Sequence, residues 1–234
     1  RQMCIRDSSA KAWSHSTAHL RAQILYYLAE NLSARTVEFT NNLQLLTGRA
    51  DAKIEVEASI QRLFFYAAWA DKFDGSARSV PLKAIALVMN EAIGNCGVIC
   101  DDRYPLLGFI SAMAPLFATG NRSIIIPSEP FSPIVTDFYQ VLDTSDVPPG
   151  TVNILTGKHT DLAIELASHM DIESVWSFST SDVSRDIEKA SVSNLKRTWV
   201  SNGEKRDWYN EEGQGKQFLT NSTENKTIWI PYGE

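Results

Sequence analysis

Apolar residues at Leu20, Ile24, Leu25, Leu28 and Leu32 recur at three- and four-residue steps, with polar residues between them. That spacing paints one stripe along a helix. A second helix is predicted over 36–46, ended by Gly48, a residue suited to the left-handed backbone of a helix stop. A third is predicted over 52–73, with Val56, Ile60, Leu63, Phe64, Ala67 and Ala68 turned inward and Gly75 as its stop. Three helices with short joints make an all-α front section over residues 9–80.

From about residue 83 the rhythm changes. Short apolar runs at 85–89, 97–100, 123–126, 152–155, 175–178 and 199–200 alternate with amphipathic stretches at 106–118, 133–142, 161–168 and 182–191. Strand and helix in alternation, with helical spacers of about ten residues, is the pattern of βαβ units. The expected fold class is therefore α/β. A helical N-terminal section is followed, over 81–206, by a doubly wound, mainly parallel, Rossmann-like sheet. Residues 207–234 read as a helix and an edge strand stopped by Pro231. In such a sheet, ligands sit beyond the carboxyl ends of the strands. The turns to search are 101–105, 127–132, 157–160, 179–182 and 201–205.

Composition narrows the classes. A chain of 234 residues, 44% hydrophobic and 21% charged, has material for a large core. Its net charge is −6, and Lys196-Arg197 and Lys205-Arg206 are its densest basic spots. No nucleic-acid or anionic-membrane partner is expected, because both need concentrated positive charge. No apolar run is long enough to span a bilayer. The three cysteines, Cys4, Cys96 and Cys100, show no disulfide framework, which points to a reducing, cytoplasmic location. The Asn-x-Ser/Thr triplets at Asn31, Asn121, Asn221 and Asn225 are read as chance. The opening RQMCIRDS (1–8) looks like translated adapter sequence and is set aside with Cys4. From residue 9 the chain starts inside a helical pattern, so it is expected to be the C-terminal piece of a longer protein.

Read in order, the turns carry a resemblance. "APLFATGNRSIIIPSEPFSP" is similar to a helix, A-x-G-N, buried strand and K-P-S/A-E-x-S/T-P. "DVPPGTVNILTG" is similar to L-P-x-G-V-x-N-x-x-x-G, "ESVWSFSTSDVSRDIEKAS" to V-x-F-T-G-S with its helix, and "NLKRTWVSNGEK" to L-K-x-x-x-L-E-L-G-G-K. Together, over about 11–206, these motifs resemble the aldehyde dehydrogenase superfamily. The tail, "RDWYNEEGQGKQFLTNSTENKTIWIPYGE", departs from ordinary members. It resembles the non-catalytic C-terminal unit of aldehyde dehydrogenase family sixteen.

The resemblance implies specific positions. The acid of E-L-G-G-K serves that family as general base, and Ser201 stands there; a hydroxyl cannot take a proton near neutral pH. Glu204 falls on a glycine position of the same turn. The oxyanion-holding asparagine of P-W-N-F-P is matched by Arg103, beside Asp101 and Asp102. No cysteine follows Cys100, whereas the family's nucleophile lies well after the E-L-G-G-K turn. The implied cofactor is NAD or NADP, and its groove is half kept. Pro127, Ser128 and Glu129 match K-P-S/A-E with Ile126 in place of the lysine. Gly157 matches a glycine near the adenine. Ser181 matches the serine of F-T-G-S, with Thr180 in place of the glycine. The expectation is a domain without catalytic residues, serving as scaffold or oligomerisation module for a linked or neighbouring aldehyde dehydrogenase unit, in a homo-oligomer. The alternatives are a piece of an active NAD(P)-dependent oxidoreductase whose catalytic unit lies outside this chain, and a nucleotide-sensing module.

Other features read blandly. His15 and His19, four apart, fit a solvated helix face better than a metal pair, so no metal site is expected. Asp101-Asp102 fits a charged turn. Ser179, Ser181 and Ser201 with His159 or His169 lack the G-x-S-x-G setting of a serine nucleophile. Phe64, Phe65, Tyr66 and Trp69 fit core. For the tail, with Trp208, Trp229 and Tyr232, pairing with another chain and docking on the unit's own sheet stay equally open.

Overall fold

The computed structural model describes residues 13–232; the proposed adapter segment lies outside them. Three helices open the fold: α1 (Ala18–Ala34), α2 (Thr36–Thr47) and α3 (Ala52–Ala70). Thr17 caps α1 by accepting from Leu20 N at 3.2 Å, and Gly48 ends α2 at φ 70°. On α1 the buried stripe is Ala22, Ile24, Leu25, Leu28, Ala29 and Leu32, whereas Leu20 is 44% exposed. On α3, Phe64 and Ala68 are half-buried while Glu55, Ser59, Arg62 and Tyr66 are buried. The α3 face is thus polar in part, which an apolar stripe does not predict.

The strands of the second section are β3 (Asn95–Ile99), β4 (Arg122–Ile126), β5 (Val152–Ile154), β6 (Ser174–Ser177) and β7 (Arg197–Val200). They form one wholly parallel sheet in the order β5-β4-β3-β6-β7. Every residue of β3 and β6 is buried, as expected where helices cover both faces. Helix α4 (Pro105–Ala118) is apolar and buried all round, between one face of the sheet and the front helices. The other face carries α7 (His159–Ser168) and α8 (Ser181–Ser191), packed through Leu166, Val183 and Ile187 on Ile99, Ile124 and Val175. The stretch predicted as one helix over 133–142 is two short ones, α5 (Pro133–Asp137) and α6 (Tyr139–Asp143).

A second, three-stranded antiparallel sheet has the order β1-β2-β8, from β1 (Ser76–Ser79), β2 (Ala84–Ala92) and β8 (Thr223–Pro231). The apolar run 85–89, expected among the βαβ strands, lies here instead. Its Ala84, Ala86 and Val88 are buried while Ile85 and Met89 are exposed, the alternation of a sheet with one wet face. The tail therefore docks on the unit's own strand β2, with Ile230 opposite Ile85 and Ile228 opposite Leu87. A last helix, α9 (Lys216–Asn221), leads into β8. Asn121 of the A-T-G-N turn ties the parts together. Its side chain accepts from Gly94 N (2.9 Å) and donates to Ser222 O (2.7 Å), and its carbonyl accepts from Trp13 Nε1 (2.9 Å).

Candidate functional site

After β3 the chain moves outward to β4 and β5, then returns to place β6 on the other side of β3. The carboxyl ends of β3 and β6 thus mark the topological switch point, where open α/β sheets hold their ligands. A cavity of about 190 Å³ lies there, lined by Asp101, Asp102, Arg103, Phe178, Ser179, Thr180, Gly203, Glu204 and Lys205.

Arg103, at the expected oxyanion position, is tied down. Its Nη2 donates to Asp101 Oδ2 (2.9 Å) and to the Arg206 carbonyl (3.0 Å), and its backbone N–H donates to Asp101 Oδ1 (2.8 Å). Trp208 Nε1 also donates to Asp101 Oδ2 (3.0 Å). The paired aspartates therefore serve as a charged turn: Asp101 holds Arg103 and Trp208, and Asp102 Oδ1 accepts from Glu129 N (2.8 Å).

Ser201 directly follows β7 and donates weakly to the Ser179 carbonyl (3.3 Å). Beyond it, Asn202 and Gly203 both have positive φ, 51° and 79°, and Glu204 N donates back to Ser201 O (2.9 Å). Two left-handed residues in succession suit an Asn-Gly turn. The turn carries Glu204 out to solvent. Cys96 and Cys100 are fully buried, and burial pushes both thiols up, with Glu173 adding to the shift at Cys96 and Asp101 and Asp102 at Cys100.

The groove residues are brought together by a side chain outside every motif quoted above. His159, the first residue of α7, is only 4% exposed. Its backbone N–H donates to Glu129 Oε2 (2.9 Å), its Nε2 lies 2.8 Å from the Pro127 carbonyl and its Nδ1 lies 3.2 Å from Ser179 Oγ. A carbonyl only accepts, so Nε2 carries a proton, and in the neutral ring Nδ1 accepts from the serine hydroxyl. Ser128 is buried and donates to Asp102 O (3.4 Å). Gly157 stands two residues before His159, on an exposed turn. Ser181 begins α8 behind its N-cap Thr180, and the Gly203 turn lies against it: a Cβ at Gly203 would come within 3.0 Å of Ser181 N. The turn leans on the helix end that would hold a pyrophosphate, although Thr180, Ser181 and Asp182 themselves stay exposed. In this arrangement the residues do not fit a dinucleotide. The sequence pairs His159 with Ser179 only as a candidate serine nucleophile without its usual setting; the structure does bring those two side chains together, with Pro127 on the other ring nitrogen.

A larger cavity of about 420 Å³ lies beyond β7, lined by Ser201, Asn202, Glu204, Lys205, Arg206, Glu212 and neighbours. The Arg206 guanidinium sits 5.2–5.8 Å from the ring centres of Trp199, Phe178, Phe218 and Trp208. Burial lowers its pKa. His15 precedes α1 and His19 lies within it, so the two do not share one helix face. No metal-binding group of three such side chains occurs among the described residues, and no helix among them is long and apolar enough to cross a membrane.

The sequence profile described as "Aldehyde dehydrogenase family" matches residues 4–209. The chain is 31% identical over 189 residues to omega-crystallin of Enteroctopus dofleini, covering 79% of this chain and 38% of that protein. It is 29% identical over 202 residues to retinal dehydrogenase 2 of Gallus gallus, covering 85% and 39%. Among solved structures, PnpE from Pseudomonas sp. WBC-3 superposes with a TM-score of 0.82 at 26% identity, covering 88% of this chain and 42% of that one. PnpE in complex with nicotinamide adenine dinucleotide gives a TM-score of 0.83 at 26% identity. The chain thus spans about two fifths of the length of these relatives.

Proposed function

The chain belongs to the aldehyde dehydrogenase family, and on that premise we propose that these residues form a unit that has lost the family's chemistry. Its role in this reading is that of scaffold and assembly module for a complete aldehyde dehydrogenase unit, linked or neighbouring. The resemblance of the tail to the C-terminal unit of family sixteen supports the same reading. One observation carries it: at the switch point, the side chains at the base and oxyanion positions are both without a chemical role. Ser201 bears a hydroxyl with no basic partner, and Arg103 is neutralised by Asp101. The two described thiols are buried and protonated at neutral pH, so neither supplies a nucleophile.

The chain's coverage of about two fifths of its relatives supports a compatible second reading. A larger protein containing this unit would still oxidise aldehydes with NAD or NADP on residues elsewhere. For the chain itself the test is direct. Purified protein incubated with propanal and NAD+ is expected to give no NADH absorbance above the enzyme-free rate. Turnover that disappears on Arg103→Ala or Ser201→Ala would defeat the proposal.

A further inference from the structure

We infer that the dinucleotide crevice of this chain is occupied by its own His159, whose imidazole keeps adenine dinucleotides out. The inference rests on the reading above that the family's cofactor chemistry has been lost here, and it names the agent. The imidazole touches Pro127, just past β4, through one ring nitrogen and Ser179, just past β6, through the other. Those strands flank β3, so their ends stand two strand spacings apart, roughly 10 Å. A ring that reaches both lies across the end of β3, beside the cavity of about 190 Å³, which Ser179 lines and the imidazole does not.

Three polar groups of the groove are engaged within the chain. The Glu129 carboxylate holds His159 N, the Pro127 carbonyl holds Nε2–H, and the Ser179 hydroxyl is turned to Nδ1. His159 is fixed by position as well, because it opens α7 and its neighbour Lys158 is extended. An incoming ligand must break these bonds and expel a buried ring. The charges around the crevice do not help it. The cavity's lining carries Asp101, Asp102 and Glu204 against Arg103 and Lys205, and Arg103 is already paired with Asp101.

The test is calorimetric titration of the whole chain with NAD+ into the millimolar range, for wild type, His159→Gly, His159→Ala and His159→Gln. Circular dichroism comes first, to show which variants fold. Wild type is expected to give no saturable heat. The Gly and Ala variants vacate the crevice and are expected to bind at least about tenfold more tightly than wild type, since removing a competing closed state raises apparent affinity by the fraction released. The Gln variant fills the space and can still donate to Pro127 O, so it is expected to behave as wild type. If the glycine unsettles the start of α7, alanine, the best helix former, carries the comparison. Wild-type binding as tight as that of the emptied variants would overturn the inference. So would emptied, folded variants that bind no better, or a Gln variant that binds as they do. The imidazole Nε2–H resonance of wild type provides a check that needs no variant: it is expected to stay unmoved by NAD+, and a saturable shift would overturn the inference. Wild-type binding without turnover would sink this inference alone, whereas wild-type turnover would sink the functional reading.

Discussion

Glu55 is a carboxylate with no exposure, and it shows how one side chain can set a loop. Its Oε1 accepts from Leu106 N (3.0 Å) and Leu107 N (3.2 Å) in the first turn of α4, and its Oε2 meets Arg49 Nη1 at 2.7 Å. A carboxylate at a helix N-terminus satisfies orphan N–H groups and suits the dipole. Arg49, itself half-buried, also donates to the Arg103 carbonyl (2.8 Å), so the pair orients the 101–105 turn. Burial raises the Glu55 pKa, opposed by the Leu107 and Leu106 N–H groups and by Arg49. A raised folded pKa contributes stability in acid that is lost as pH rises through it. Glu55→Gln stays neutral throughout. Its urea midpoint is therefore expected to gain on that of wild type as the pH rises above the ordinary carboxylate range. A second residue-scale expectation concerns the emptied turn. Ser201→Glu restores an acid, but with the thiols buried and His159 in the crevice it is expected to leave NADH production at background in the propanal assay.

At the scale of elements, the segment between β7 and α9 is held by a buried cation without a carboxylate partner. Arg62 on α3 donates to Trp208 O (2.6 Å), and also to Gly213 O and Ser111 Oγ. Burial lowers its pKa to about 10, which still leaves it protonated at neutral pH. Trp208 adds its own anchorage, with its ring 5.0 Å from that of Phe178. Gly213 must be glycine, since a Cβ there would sit 2.5 Å from Trp208 backbone atoms. Arg62→Leu removes the donors but keeps an apolar filler, stranding two buried carbonyls. A loss of about 1–3 kcal/mol in urea unfolding is expected, from the cost of buried acceptors left unsatisfied. Trypsin cleavage after Arg206 and Lys216 is expected to accelerate with it.

At the scale of the whole molecule, the three-stranded sheet is the feature that the functional proposal needs. Strand β8 lies at its edge, with its outer backbone groups open to pairing. The register sets Ile85, Leu87, Ile228 and Ile230 on one face, and Ile230 is 46% exposed. An apolar face joined to an open edge is a template for a second copy or for a linked unit. The double variant Ile228→Lys/Ile230→Lys is expected to reduce the mass seen by light scattering to that of a monomer, with an unchanged far-ultraviolet spectrum. If wild type is already monomeric at tens of micromolar, self-assembly through this sheet fails as an explanation.

Periodicity and turn chemistry were enough for the three front helices, the stop at Gly48, the parallel sheet and the crevice at its switch point. These depend on neighbours a few residues apart, whose spacing is dictated by helix and strand geometry. The ordered motifs put Pro127, Ser128, Glu129, Arg103 and Ser201 on turns that follow strands of the parallel sheet. Tertiary structure alone decided the rest. Strand β2 reads as one more apolar run until β8 pairs with it. Arg62 looks like a surface cation on a helix until the tail folds over it. His159 and Ser179 are candidates on separate turns until the fold closes Ser179 and Pro127 on the imidazole. In each case the deciding partner lies far away along the chain, and whether two such groups meet depends on how the layers pack, a quantity no local pattern carries.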